Sequence, residues 1–142
     1  MADFVFNIAK GAFAEKFRDG AANGGILLLI AADTDAAMRD TDHITALLAT
    51  GANEATDGSY ARKTGLTGTV TVDDTNDRVD VDLPDQTFSA LAGAAITDAI
   101  VFYEEAAADT TRIPLTCHDF VITPDGSDVT IQFNAAGFAR AS

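Results

Sequence analysis

Residues 69–85 read TVTVDDTNDRVDVDLPD, and beyond a tight turn at Asp74–Asp77 the residues Val79, Val81 and Leu83 alternate strictly with Asp80 and Asp82. A two-residue alternation of apolar and charged positions describes a strand with one face on a core and the other in water. Aspartate is a poor strand former, so a face built from it is expected to serve as a solvated, negative, non-adhesive surface. Val79, Val81 and Leu83 are then expected in the core with Phe120, Ile122, Val129, Ile131 and Phe133. Asp80, Asp82 and Asp128 are expected at the surface. Residue physics alone describes an acidic, β-rich domain.

The rest of the chain extends that pattern. Strands are predicted at Gly68–Val72, Arg78–Leu83, Thr87–Leu91, Ala99–Glu105, Arg112–Thr116, Phe120–Thr123 and Val129–Phe133. Turn signals separate them at Asp74–Asp77, Pro84–Asp85, Asp109–Thr111 and Pro124–Ser127. Short strands at this spacing predict a mainly β fold, a mostly antiparallel β-sandwich or small barrel. Upstream, Phe4, Phe6 and Ile8 alternate as a short strand. Ala9, Ala12, Phe13 and Phe17 fit a helix, while Phe13, Glu15 and Phe17 fit a strand equally well. Ile26–Ala31 is a continuous aliphatic run of strand length, which predicts a central strand buried on both faces. From Thr41 the period changes, with Ile44, Leu47 and Leu48 on one helical face, Thr41 or Asp42 as the cap, and Gly51 past the end. One or two short helices are therefore expected in the N-terminal third. Residues 51–68 read as a long loop that carries Arg62 and Lys63. The whole, 1–142, is expected to be one domain with an extended N-terminal segment 1–10 and a C-terminal tail 135–142.

Charge narrows the partners. Nine Lys and Arg stand against 22 Asp and Glu, a net charge of −13, and such a chain repels nucleic acid, whose protein contacts rest on cations at phosphate. Direct nucleic-acid binding is not expected. The longest apolar run, residues 26–32, is far short of the ~20 residues a membrane helix needs, and no membrane contact is expected. Lys10 lies behind the first apolar residues, the wrong order for a secretory signal. The expectation is a soluble chain made in a cytoplasm. Cys117 is the single cysteine, so no internal disulfide is expected and a small buried thiol is.

The chemical inventory is thin. His118 follows Cys117, but neighbours on a strand point to opposite faces, which makes a poor nucleophile–base pair. His43, near a helix start, reads as a capping or solvated side chain. Asp74–Arg78 begins like a calcium loop, then places Arg78 where an oxygen ligand belongs. A polar turn is the favoured reading there, with a surface calcium site of another geometry left open. No zinc spacing, phosphate-binding loop or nucleophile elbow occurs. Catalytic residues, metal and cofactors are all expected to be none, and the chain is read as a non-enzyme. The rival reading, a small hydrolase or carbohydrate-binding module, lacks aromatic platforms: there is no Trp, and Tyr60 and Tyr103 are the tyrosines.

Several segments resemble those of small virion structural proteins of tailed double-stranded DNA phages. They are FNIAKG (Phe6–Gly11), EATDGSYARKTG (Glu54–Gly65), TVDDTNDRVDVDLPDQTFSAL (Thr71–Leu91), IPLTCHDFVITPDGSDVTIQF (Ile113–Phe133) and the terminal AAGFARAS. The likeness spans most of the chain and is one of general character; no segment carries a mechanism. It implies a non-enzymatic virion protein, synthesised in a bacterial host cytoplasm and bound to the major capsid protein. Acidity favours an outward-facing capsid decoration protein, in a small symmetric oligomer, over a protein packed against DNA. A tail or neck component is the alternative. Phe4, Phe6 and Ile8, the loop cations Arg62 and Lys63, and Phe138 and Arg140 in the tail are the expected partner-binding residues. Loss of residues 1–8 is expected to leave a folded domain.

Overall fold

The computed structural model describes residues 3–6, 22–134 and 137–141. Within them the strands are β1 (Phe4–Val5), β2 (Gly24–Ala31), β3 (Asn53–Glu54), β4 (Lys63–Leu66), β5 (Thr69–Asp73), β6 (Arg78–Asp82), β7 (Gln86–Phe88), β8 (Ile96–Glu104), β9 (Arg112–Ile122), β10 (Val129–Ile131) and β11 (Ala139–Ala141). Two short helices, α1 (Asp35–Arg39) and α2 (Ile44–Leu48), follow β2. The fold is mainly β, with antiparallel sheets stacked in a sandwich-like way and no closed barrel.

The aliphatic run organises everything else. Ile26, Leu27, Leu28 and Leu29 are fully buried, and because strand side chains alternate they feed two separate cores. Leu27 and Leu29 join Met38, Ile44 and Leu47 of the helices, Phe102, Leu115 and Cys117, and Val81 with Phe138. Ile26 and Leu28 face the other way, onto Phe88, Leu91, Val129 and Ile131. β2 thus sits inside the largest sheet, ordered β1-β9-β8-β2-β3, with β4 also pairing β2. One face is covered by the helices and the β11-β6-β5 sheet, the other by the two-stranded β10-β7 sheet.

Both helices are held at their N-termini by side chains. Thr34 Oγ1 accepts from Ala37 N at 3.3 Å, and His43 Nδ1 accepts from Ala46 N at 3.1 Å. The cap of α2 is therefore His43, not Thr41 or Asp42; Thr41 is buried and donates back to the Met38 carbonyl.

Several expectations are corrected. Asp80 is buried, because Arg140 and Arg78 lie over it: Arg140 Nε donates to Asp80 Oδ1 at 2.7 Å, and Arg78 Nε makes a 3.1 Å ionic contact without hydrogen-bond alignment. Val79, Phe120, Ile122 and Phe133 are half-buried, so they edge the core instead of filling it. The 51–68 segment contains β3 and β4, which borrow regularity from the backbone of β2. Residues 112–122 form one long strand where two were expected. Of the N-terminal segment, residues 3–6 are described and are no detachable arm: Phe4 and Phe6 are buried, and β1 pairs with β9 through Phe4↔Cys117. Removing residues 1–8 would empty part of the core. The helix-or-strand alternative at residues 9–17 lies outside the described residues.

Many aspartates turn out to fasten loops. Asp85 accepts from Phe133 N at 2.9 Å, Asp128 from Ala90 N at 2.8 Å and Asp57 from Ala94 N at 3.1 Å. Asp73 accepts from Thr75 N and Asn76 N within its turn. Carboxylates cap turn N–H groups well. The acidic composition is thus partly structural, not only a solubilising coat.

Candidate functional site

Arg62, one of the two loop cations expected to meet a partner, is the centre of an ionic clamp. Its Nε donates to Glu54 Oε1 at 2.6 Å and its Nη2 to Glu54 Oε2, while Nη1 and Nη2 both reach Asp109. Asp109 also accepts from Arg112 Nη1 at 2.8 Å, and Arg112 Nε donates to Glu104 Oε2 at 2.7 Å. Paired guanidinium–carboxylate forks of this kind are the strong form of charge-assisted hydrogen bonding. Hydrogen bonds from Arg62, with a smaller share from Arg112, hold the Asp109 carboxyl below the usual carboxylate range against the opposing effect of burial. The same bonds, Glu54's first, push Arg62 upward.

The backbone explains why the clamp stands here. β3 pairs with one half of β2 and β4 with the other, leaving Leu28 between them. Ala55 N donates to the Leu28 carbonyl at 2.9 Å, and Leu28 N donates to the Tyr60 hydroxyl at 3.0 Å. Tyr60 Oη in turn donates to Glu54 Oε1 at 2.8 Å. A phenol therefore substitutes for a missing strand partner, which satisfies a buried N–H that would otherwise be costly. Burial, then the charge of Glu54, raises the Tyr60 phenol well above its ordinary range. The network pins the 53–62 segment to the turn that joins β8 and β9.

The remaining expected partner residues are also engaged within the chain. Lys63 Nζ lies 5.0 Å over the Phe88 ring. Phe138 is buried, edge-on to Phe133 at 6.0 Å between ring centroids. Arg140 covers Asp80. Phe4 and Phe6 face the core, and what β1 leaves outward is backbone at a sheet edge. Ile8 lies outside the described residues. Sequence reading missed Glu54, Tyr60, Glu104, Asp109 and Arg112. Glu104 and Arg112 were findable, since they flank the turn of one hairpin and face each other in register.

Cys117 and His118 diverge as strand geometry requires. The thiol points into the core, 3.8 Å from Asp98 Oδ1, while His118 Nε2 lies 2.8 Å from Thr116 Oγ1. Burial, then the carboxylate of Asp98, pushes the thiol above its ordinary range. Thiolate is the reactive form, so Cys117 is expected to resist an aromatic disulfide reagent at pH 8 in the folded protein. It should react fully in denaturant. Stoichiometric labelling without denaturant would show that this core opens readily.

Among the described residues no group of His, Cys, Asp and Glu is arranged to hold a metal ion, and no helix is long and apolar enough to cross a membrane. Comparison with protein families, with curated proteins and with solved structures finds no match. The site must be read from its own chemistry.

Proposed function

We propose that this chain is a non-enzymatic virion structural protein, a decoration protein that binds the outer capsid lattice and stabilises it. One observation carries the reading: the cations of the described residues are turned onto the chain's own groups. Arg39 pairs with Asp35, Arg62 with Glu54 and Asp109, Arg78 with Asp73 and Asp80, Arg112 with Glu104 and Asp109, and Arg140 with Asp80; Lys63 covers Phe88. Exposed carboxylates that none of these cations engages include Asp74, Asp77, Asp85 and Asp128. An acidic exterior over a doubly buried β core suits a surface that must stay soluble and must not bind the genome. A lattice binder needs no chemistry, because repeated modest contacts add through symmetry and stabilise the assembled state by mass action.

A tail or neck component is the second reading, since an acidic wall also suits a channel through which DNA slides. Copy number per particle separates the two. A number that scales with capsid subunits, together with DNA release at lower temperature from particles lacking the protein, is the expected result. A small fixed number per particle and unchanged DNA release would move the protein to the neck or tail.

A further inference from the structure

The uncharged stretch Thr69–Val72 on the outer edge of β5 stands apart from this acidic surface. β5 is the terminal strand of the β11-β6-β5 sheet, and among the described residues nothing pairs with its outer edge. Thr69, Val70, Thr71 and Val72 are all exposed, Val70 at 41% and Val72 at 65%. All four are β-branched, the residues that best fit a pleated strand. Edge strands of monomeric proteins are usually blunted by lysine, proline, a bulge or an inward charge. β5 carries none of these from Thr69 to Val72, in a chain of net charge −13.

The strand is also self-complementary about its middle. In an antiparallel pairing of two copies centred on Thr71, Val70 meets the second copy's Val72 and Thr69 meets its Asp73. Val70 and Val72 lie opposite Val81 and Val79 of β6, so the four valines share one face of the sheet. The pairing would continue that valine face into the second copy. It would also send the two Asp74–Asp77 turns to opposite ends, where their charges are far apart. Parallel pairing would set the acidic turns side by side, and like charges disfavour it. We propose that β5 is a homodimerisation edge at which two copies join antiparallel about Thr71, making one continuous sheet β11-β6-β5-β5-β6-β11. Val70-Thr71-Val72 reads the same from either end, so a second copy presents to this edge the same side chains that the edge presents to it.

A contact of five residues a side is smaller than a standard stable interface. The dimer is therefore weak in free solution, with a dissociation constant on the order of 100 µM. The inference does not rest on the virion reading and is tested on the isolated protein.

Sedimentation of the wild-type chain from about 10 µM to about 1 mM should show a reversible monomer–dimer equilibrium, a range that brackets that affinity. V72K places a charge on an exposed side chain and should weaken association at least about tenfold, with an unchanged melting temperature. T71C should form an intermolecular disulfide under mild oxidation, because residues directly opposite in an antiparallel pair lie about 4.5–5.5 Å apart, within disulfide reach. T69C should not, since its copies would lie roughly four residues apart along the strand, about 14 Å. Cys117 is buried and does not compete. A wild-type chain monomeric throughout the range overturns the proposal. So does equal cross-linking of T69C and T71C, or association of V72K at parental strength.

Discussion

Replacing Arg62 with methionine should lower the stability of the folded protein at neutral pH by about 2–4 kcal/mol. Breaking a buried pair by removing one partner typically costs about 3–5 kcal/mol, because the other charge is left uncompensated. Here the lower end is extended because the Asp109 side chain retains 32% of its exposure and water screens it. Glu54, at 15%, is more enclosed and would also face Tyr60 alone. The loss should shrink in an E54Q background, since the charge stranded by the change is then absent; this is the double-mutant test of a coupled pair. Acid should act on the same clamp. The Asp109 carboxyl is depressed in the folded state, so its contribution is fully present above the unfolded carboxylate range, about pH 4, and is lost as pH falls through the lower folded value. R62M should therefore lose less stability than the parent between about pH 5 and pH 2. Urea unfolding at several pH values measures both effects. A change below about 1 kcal/mol at pH 7 would mean that the clamp is no stronger than a surface pair.

Truncating Phe102 to alanine should cost about 3–5 kcal/mol, the usual range for emptying a fully buried aromatic site. Phe102 is paired in register with Gly25, and its ring lies across the space that a side chain at Gly25 would need. A Cβ there would sit 2.2 Å from the nearest ring carbon. Glycine in a strand usually weakens it; here it makes room for an aromatic that fills the core above it. G25A alone should thus be destabilising by about 1–3 kcal/mol, as overpacking is, although alanine is ordinarily the better strand residue of the two. Combining G25A with F102A should cost less than the sum, because the added methyl enters the vacated volume. Strict additivity in thermal or denaturant unfolding would show that the ring does not rest on Gly25 in solution.

What was legible in the sequence was whatever pattern is carried by side chains alone. The unbroken ILLLIAA run announced a strand covered on both faces, and β2 is that strand. Alternation located the β5–β6 hairpin and its turn. Elements made by pairing stayed hidden. β4 is KTGL, with no alternation, and it is extended because β2 offers it a backbone edge. α1 buries only Met38, too little to print a helical period; its signals are the Thr34 cap, Asp35 in the first turn and Arg39 in the last. Asp80 looked solvated because nothing nearby in sequence reveals that Arg140 will cover it, sixty positions away. The Arg62 side of the clamp was unreadable for the same reason: Arg62 and Asp109 are 47 residues apart, and a lone cation in an acidic chain looks free until the fold closes. The expected partner residues are apolar or basic side chains in unusual places. Those same properties are what the chain uses to hold itself together.

The stitching of β1 onto β9 bears on how fast the chain can find its structure. Asp3 accepts a hydrogen bond from Asp119 N across 116 residues, and Phe4 sits opposite Cys117. β11 likewise returns from far along the chain to β6, with Arg140 beside Asp80. Such pairings must close very large loops before any burial rewards them, and loop-closure entropy is spent first. Refolding from denaturant should accordingly be slow for a chain of this size, in milliseconds to seconds, as for other β proteins rich in distant contacts. During that interval the Thr69–Val72 edge is exposed on a local hairpin that needs only a four-residue loop to form. Dilution during refolding should then raise the yield, because the segment best suited to recognise a second copy is among the first that can take shape.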